Sequence, residues 1–198
     1  MAGDVVAADE PHLAGLQVNN NTTFEDWRHP RFLEAVSVER RIVHGRKIGV
    51  VNGVFDLFHL GHLNLIAQAS NQQVDNLYIM LVALLNSDAS AARLKGPRRP
   101  YVPLAARLQM VASQRFVRAA AGFAEETPEE ALAVIKPDFL FKGAEYKDRV
   151  IRGAEHCGKV VFLPETPYFR TTELEQRIIT AAGGSVKPPR TGTQNPPR

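Results

Sequence analysis

Two histidines three residues apart, His59 and His62, stand in the stretch VNGVFDLFHLGH, residues 51 to 62, with Gly61 between them and Asp56 just before. An apolar run, KIGVV, stops at Asn52-Gly53, and Val54-Phe55 follow before the polar cluster. If a helix begins near Leu60, both imidazoles flank its first turn, where unpaired backbone N–H groups and the helix dipole attract an anion. Two imidazoles there can donate hydrogen bonds to a phosphate, and Gly53 and Gly61 leave room for a ligand against the backbone. The combination suits a nucleoside triphosphate. A histidine pair at this spacing also fits two metal ligands, but zinc needs a third and usually a fourth. His12, His29, His44 and His156 show no ligand spacing, so no metal site is expected.

Strands and helices must position these groups. KIGVV (47 to 51), NLYIMLVALL (76 to 85), FVRAAAGF (116 to 123), FLFK (139 to 142) and KVVFLP (159 to 164) read as buried strands. LNLIAQAS, PLAARLQMVAS, TPEEALAVI, KDRVIRGAEH and TTELEQRIITAA fit helices. The alternation predicts an α/β fold: a doubly wound, Rossmann-like parallel sheet of about five strands, covered on both faces. Ligands of such sheets bind beyond the carboxyl ends of the strands, where the winding reverses. The histidine stretch directly follows the first of these strands.

Composition narrows the field. With 198 residues, 44% of them hydrophobic, the chain supports one domain with a sizeable core. Its formal charge of +3 comes from Lys187, Arg190 and Arg198 in a tail with no acidic residue. The remainder is neutral by that count, which speaks against nucleic acid as a partner. The single Cys157 cannot form an internal disulfide, and no apolar run is long enough for a membrane span, so a cytoplasmic protein without a membrane partner is expected. Residues 1–22 and 184–198 lack apolar period and read as disordered arms around a domain at 23–183.

GVFDLFHLGH resembles the G-x-F-D-x-x-H-x-G-H signature of the cytidylyltransferase-like nucleotidyltransferases, whose histidines stabilise the α-phosphate under attack. NSDASAARLKGPRRP, TPEEALAVIKPDFLFKGAEY and RTTELEQRI follow in the order found in the adenylyltransferase domain of the enzymes that make ADP-heptose. The resemblance covers about residues 45 to 180. It implies catalytic roles for His59, His62 and Lys95. It implies nucleotide contacts from Asn52, Gly53, Val54, Phe55, Gly61, Lys142, Arg170, Thr171 and Thr172. Substrate contacts are implied for Asp56, Asn86, Asp88, Arg107 and Tyr146. The bland alternatives are a helix cap for Thr171, a turn for Asp88 and a solvated charge for Arg107.

Departures from the family pattern mark where function can differ. Glycerol-type cytidylyltransferases carry R-T-x-G-I-S-T-T where this chain has ETPYFRTT, so Glu165 replaces an arginine and Arg170 a serine. Arg170 is then a candidate to restore the lost positive charge. KGGDY appears as KGAEY, adding a methyl at Ala144 and a longer carboxylate at Glu145. FVRAAAGF lacks the V-D pair tied to dimer contacts, so a homodimer stays an open expectation.

The activity implied is transfer of AMP from ATP to a sugar phosphate such as heptose 1-phosphate, with Mg²⁺ accompanying the triphosphate and pyrophosphate leaving. Transfer of CMP to glycerol 3-phosphate or a related alcohol phosphate is the alternative, and a silent nucleotide-binding module a third. The signature begins so early that too few residues precede it for a sugar kinase domain, the usual companion of the heptose-type enzymes.

Overall fold

The computed structural model describes residues 23–42, 47–74 and 77–184. Both arms expected from the sequence, apart from Gly184, lie outside these residues. In chain order the elements are β1 (Thr23–Phe24), α1 (Pro30–Ile42), β2 (Ile48–Gly53), α2 (Leu60–Ser70), β3 (Gln73–Val74), β4 (Leu77–Tyr78), β5 (Met80–Asn86) and α3 (Asp88–Lys95). They continue as α4 (Leu104–Ala112), β6 (Val117–Phe123), α5 (Glu129–Ile135), β7 (Phe139–Gly143), β8 (Lys159–Leu163) and α6 (Thr171–Ala181). Six strands form one sheet in the order β1-β6-β5-β2-β7-β8, every pair parallel, and β3 and β4 make a separate antiparallel ribbon.

β2 is the centre of the winding. The chain leaves it toward β5 and β6 on one side and returns to β7 and β8 on the other, so the switch point lies at its carboxyl end, after Asn52-Gly53. Period-2 alternation sends Val82 and Leu84 of β5 to one core with Phe32, Val36, Leu132 and Ile135. Leu81, Ala83 and Leu85 enter the opposite core with Ile66, Leu108 and Val111. A strand buried on both faces favours apolar residues throughout, which is why β5 reads MLVALL before its last residue, Asn86.

The structure refines the sequence reading in four places. The sheet has six strands, because Thr23–Phe24 adds to β6 and its loop runs on to bury Trp27. NLYIMLVALL is not one strand: Leu77–Tyr78 belongs to the ribbon and β5 starts at Met80. KDRVIRGAEH forms no α-helix, only a short 3₁₀ turn at Ala154–His156. Gly153 there takes φ +83°, and a Cβ on it would sit 2.8 Å from Leu132, so a turn that packs on α5 wins over helix. α1 and α3 were not anticipated; α1 sets Phe32 and Val36, with Leu33 beside them, against the core, and α3 has little apolar period. Among the described residues no helix is long and apolar enough to cross a membrane.

Candidate active site

The loop after β2 is bent to bring the histidines together. Phe55 and Leu57 take positive φ values, 55° and 46°, a conformation that non-glycine residues adopt only when their surroundings enforce it. Phe55 is buried, and its ring lies 5.1 Å from that of His62, with Phe58 5.6 Å away on a near-parallel plane. His59 is the N-cap of α2, its Nδ1 accepting from the His62 N–H at 3.4 Å. The two imidazoles stack with centroids 3.8 Å apart. They therefore present one compact donor pair at the sheet's switch point. Gly61 serves a different end from the ligand space expected: a Cβ there would meet the Phe169 carbonyl at 2.5 Å and the His59 ring at 2.9 Å. Its missing side chain admits the segment leading into α6.

That segment delivers Thr171. Its hydroxyl donates to the Asp56 carbonyl at 3.0 Å and lies 3.4 Å from His59 Nε2. Thr172 beside it is exposed at the N-terminus of α6, where backbone N–H groups are unpaired. The Asp56 carboxylate is buried and turned away from solvent. It accepts from the N–H groups of Leu57, Tyr101 and Val102 at 3.0 to 3.1 Å and from Arg99 Nε at 2.7 Å. These hydrogen bonds outweigh burial and hold its pKa below the usual carboxylate value.

Arg107 is fully buried, and all three guanidinium nitrogens have partners inside the protein. Nε donates to the Val102 carbonyl, Nη1 to the Val54 carbonyl, and Nη2 to the Asn86 carbonyl and the Asp88 carboxylate at 2.9 and 2.6 Å. It ties the loop after β2 to the end of β5. Neither a solvated charge nor a free hand toward substrate describes it. Asn86 is buried too, donating from Nδ2 to the Ser90 hydroxyl, while Asp88 is half exposed at the start of α3.

A charged rim surrounds this centre. Lys142, at the end of β7, lies 5.2 Å over the Tyr146 ring, and burial lowers its ammonium to about 8. Arg149 takes the same ring at 5.3 Å. Lys95 ends α3, where desolvation of its ammonium and then the charges of Arg99 and Arg149 lower its pKa. Glu145 folds back over Gly143 and near Glu165, and burial followed by that neighbour raises its pKa. Arg170 pairs with Glu165 on the surface, so it neutralises the carboxylate that replaced an arginine. Asn52 Oδ1, His62 Nδ1 and Glu173 Oε2 are buried without a protein partner, as are Trp27 Nε1 and Glu125 Oε2 elsewhere. Arg99, Tyr101, Arg149, Glu173 and Glu175 were not singled out from the sequence. RRPY was the visible signal for the first two.

His156, which showed no ligand spacing along the chain, meets Glu129 and Glu155 in space with ligand atoms within 4.8 Å. That group belongs to α5 and the turn before β8, not to the histidine pair.

Burial pushes the His62 imidazole down to about 3, with His59 adding to the effect, and burial lowers His59 against the opposing pull of Glu173. Both rings are neutral donors at physiological pH. The unfolded chain protonates His62 at its ordinary 6.5 and the folded protein only near 3. Between these values unfolding takes up a proton, so stability falls as pH falls, by at most about 1.4 kcal/mol per unit. Urea unfolding from about pH 6 to pH 4 is expected to show that slope in the parent and a shallower one in His62→Asn. Parallel slopes would contradict the buried, neutral imidazole.

The cytidylyltransferase-like family model matches residues 50–176. The bifunctional protein HldE of Gluconacetobacter diazotrophicus is 38% identical over 154 residues, 76% of this chain and 31% of that protein. Its counterpart from Paramagnetospirillum magneticum is 39% identical over 163 residues, 80% of this chain and 32% of that protein. The chain thus spans about a third of the length of these relatives. A solved lipopolysaccharide core biosynthesis protein from Thermoplasma volcanium aligns with 71% of this chain and 93% of its own at 26% identity and a TM-score of 0.42. With the family model running from the central strand into α6, and relatives close to 40% identical across the same span, this chain belongs to the cytidylyltransferase-like nucleotidyltransferases.

Proposed function

We propose that the chain transfers AMP from ATP to a sugar phosphate of the heptose 1-phosphate type, releasing pyrophosphate. The observation that carries the reading is the stacked His59–His62 pair facing Thr171 across the carboxyl end of β2. A phosphate oxygen of the acceptor attacks the α-phosphorus, forming a new P–O bond as the bond to pyrophosphate breaks. That oxygen is already ionised, so no general base is needed, in keeping with an Asp56 carboxylate committed to the loop. The neutral imidazoles donate to the α-phosphate, whose charge grows in the transition state. Thr171, Thr172 and the N–H groups of α6 hold the β- and γ-phosphates, and Lys95 and Lys142 face them from the rim. Asn52 and Gly53 line the floor. Asn86, Asp88 and Arg107 act behind it, shaping the acceptor side through the loop they brace.

Mg²⁺ suits this site. The ion is held mainly by phosphates and water with one or two carboxylates, and Glu173, with a buried oxygen lacking a protein partner, is the residue to supply one. When bound it would offset the charge of the leaving pyrophosphate. A cytoplasmic location fits these substrates and an unpaired Cys157.

The test is pyrophosphate release over a grid of ATP, CTP, GTP and UTP against heptose 1-phosphate, other sugar 1-phosphates and glycerol 3-phosphate. Turnover confined to ATP with a sugar 1-phosphate is expected. A preference for CTP with glycerol 3-phosphate would replace the reading, and no turnover with any pair would leave a binding module.

A further inference from the structure

α6 has no buried residue, and its Ile178 is 60% exposed. Helices in proteins draw most of their stability from an apolar face set against a core, and here that source is weak. Polar contacts hold it instead, and they close into a ring. The Asp56 carboxylate accepts from Arg99 Nε at 2.7 Å, and the other side of the same guanidinium reaches Glu175 at 3.6 Å. Glu175 also accepts from the Tyr101 hydroxyl. One helical turn before Glu175 stands Thr171, on the same face of α6, and its hydroxyl returns to the carbonyl of Asp56. The circuit runs from Asp56 through Arg99, Glu175 and Thr171 back to Asp56.

The members are well placed to transmit force. Arg99 is only 11% exposed and Glu175 21%, so their ion pair is less screened than a surface bridge. The Arg99 guanidinium lies 4.8 Å over its neighbour Tyr101, which limits its freedom further. Pulling on Glu175 moves Thr171 with it, because a helical turn is rigid on this scale.

We propose that Arg99, Tyr101 and Glu175 form a latch that fixes the phosphate-holding end of α6 over the histidine pair, with Arg99 a positioning residue for the nucleotide. The inference rests on the reading of α6 as the triphosphate clamp given above. It adds residues that act without touching the reacting atoms.

Glu175→Gln is the decisive variant, with Tyr101→Phe as its milder partner; neither empties the core. Inorganic pyrophosphate is the probe, since it needs no choice of base. Deleting a negative charge near an anion site should by itself tighten pyrophosphate binding, whereas a broken latch should weaken it. The expected result is a dissociation constant raised about tenfold in Glu175→Gln and several-fold in Tyr101→Phe, measured by calorimetry at one salt concentration. Amide exchange along α6 should be several-fold faster in both, with the thermal midpoint within a few degrees of the parent. Unchanged or tighter binding together with parental exchange overturns the latch. If the parent turns over no sugar phosphate while α6 exchange still responds, the substrate reading falls and the latch stands. Normal turnover with an unaltered KM for ATP in Glu175→Gln removes the latch and leaves the reaction intact.

Discussion

His59→Ala or His62→Ala is expected to lower kcat about a hundredfold or more while far-UV circular dichroism keeps the parental form, an effect of the size seen when one transition-state donor is lost. The rings stack 3.8 Å apart and, in the proposed reaction, donate to one phosphate, so the double variant should be little worse than either single one. The loss should fall on kcat more than on KM for ATP, because the donors strengthen their hold only as charge builds on the α-phosphate. Near-normal turnover in either variant, with the preferred substrate pair, would take that histidine out of the mechanism.

Arg107→Met is expected to damage the fold rather than the chemistry. The substitution keeps length and apolar bulk but leaves the Val54, Asn86 and Val102 carbonyls and the Asp88 carboxylate without their donors. Removing one side of a buried charged network costs about 3 to 5 kcal/mol, a large part of the stability of an ordinary domain. The thermal midpoint should fall by about 10 °C. Arg107→Lys should recover only part of it, since one ammonium cannot reach four acceptors in the geometry of a fork. A midpoint within two degrees or so of the parent, with KM for the acceptor strongly raised, would instead make Arg107 a direct substrate contact.

These residues differ in how far the sequence discloses them. The histidine pair was legible because a local pattern, strand then loop then helix, suffices to bring residues three apart onto one turn. The central strands were legible for a similar reason: IGVV and MLVALL are apolar on both faces and admit few other folds. Arg107 and Asp56 were visible as residues, yet most of their partners lie 19 to 53 positions away, and nothing local separates a buried charge from a solvated one. Arg170 was placed at the right helix end, but its pairing with Glu165 depends on the loop conformation between them. Tyr168 in that loop takes a positive φ that no motif announces. KDRVIRGAEH carried a helical period and still lost to a glycine turn, because contact with α5 decided the outcome.

His59 and Thr171 stand 112 residues apart along the chain and within 3.4 Å in space. During synthesis the signature loop leaves the ribosome long before its counterpart exists. A nascent chain that has completed β2, α2 and even β7 therefore has both histidines but not yet the Thr171 that stands opposite them. The site is complete only once the segment carrying Phe169, whose carbonyl rests against Gly61, has been made.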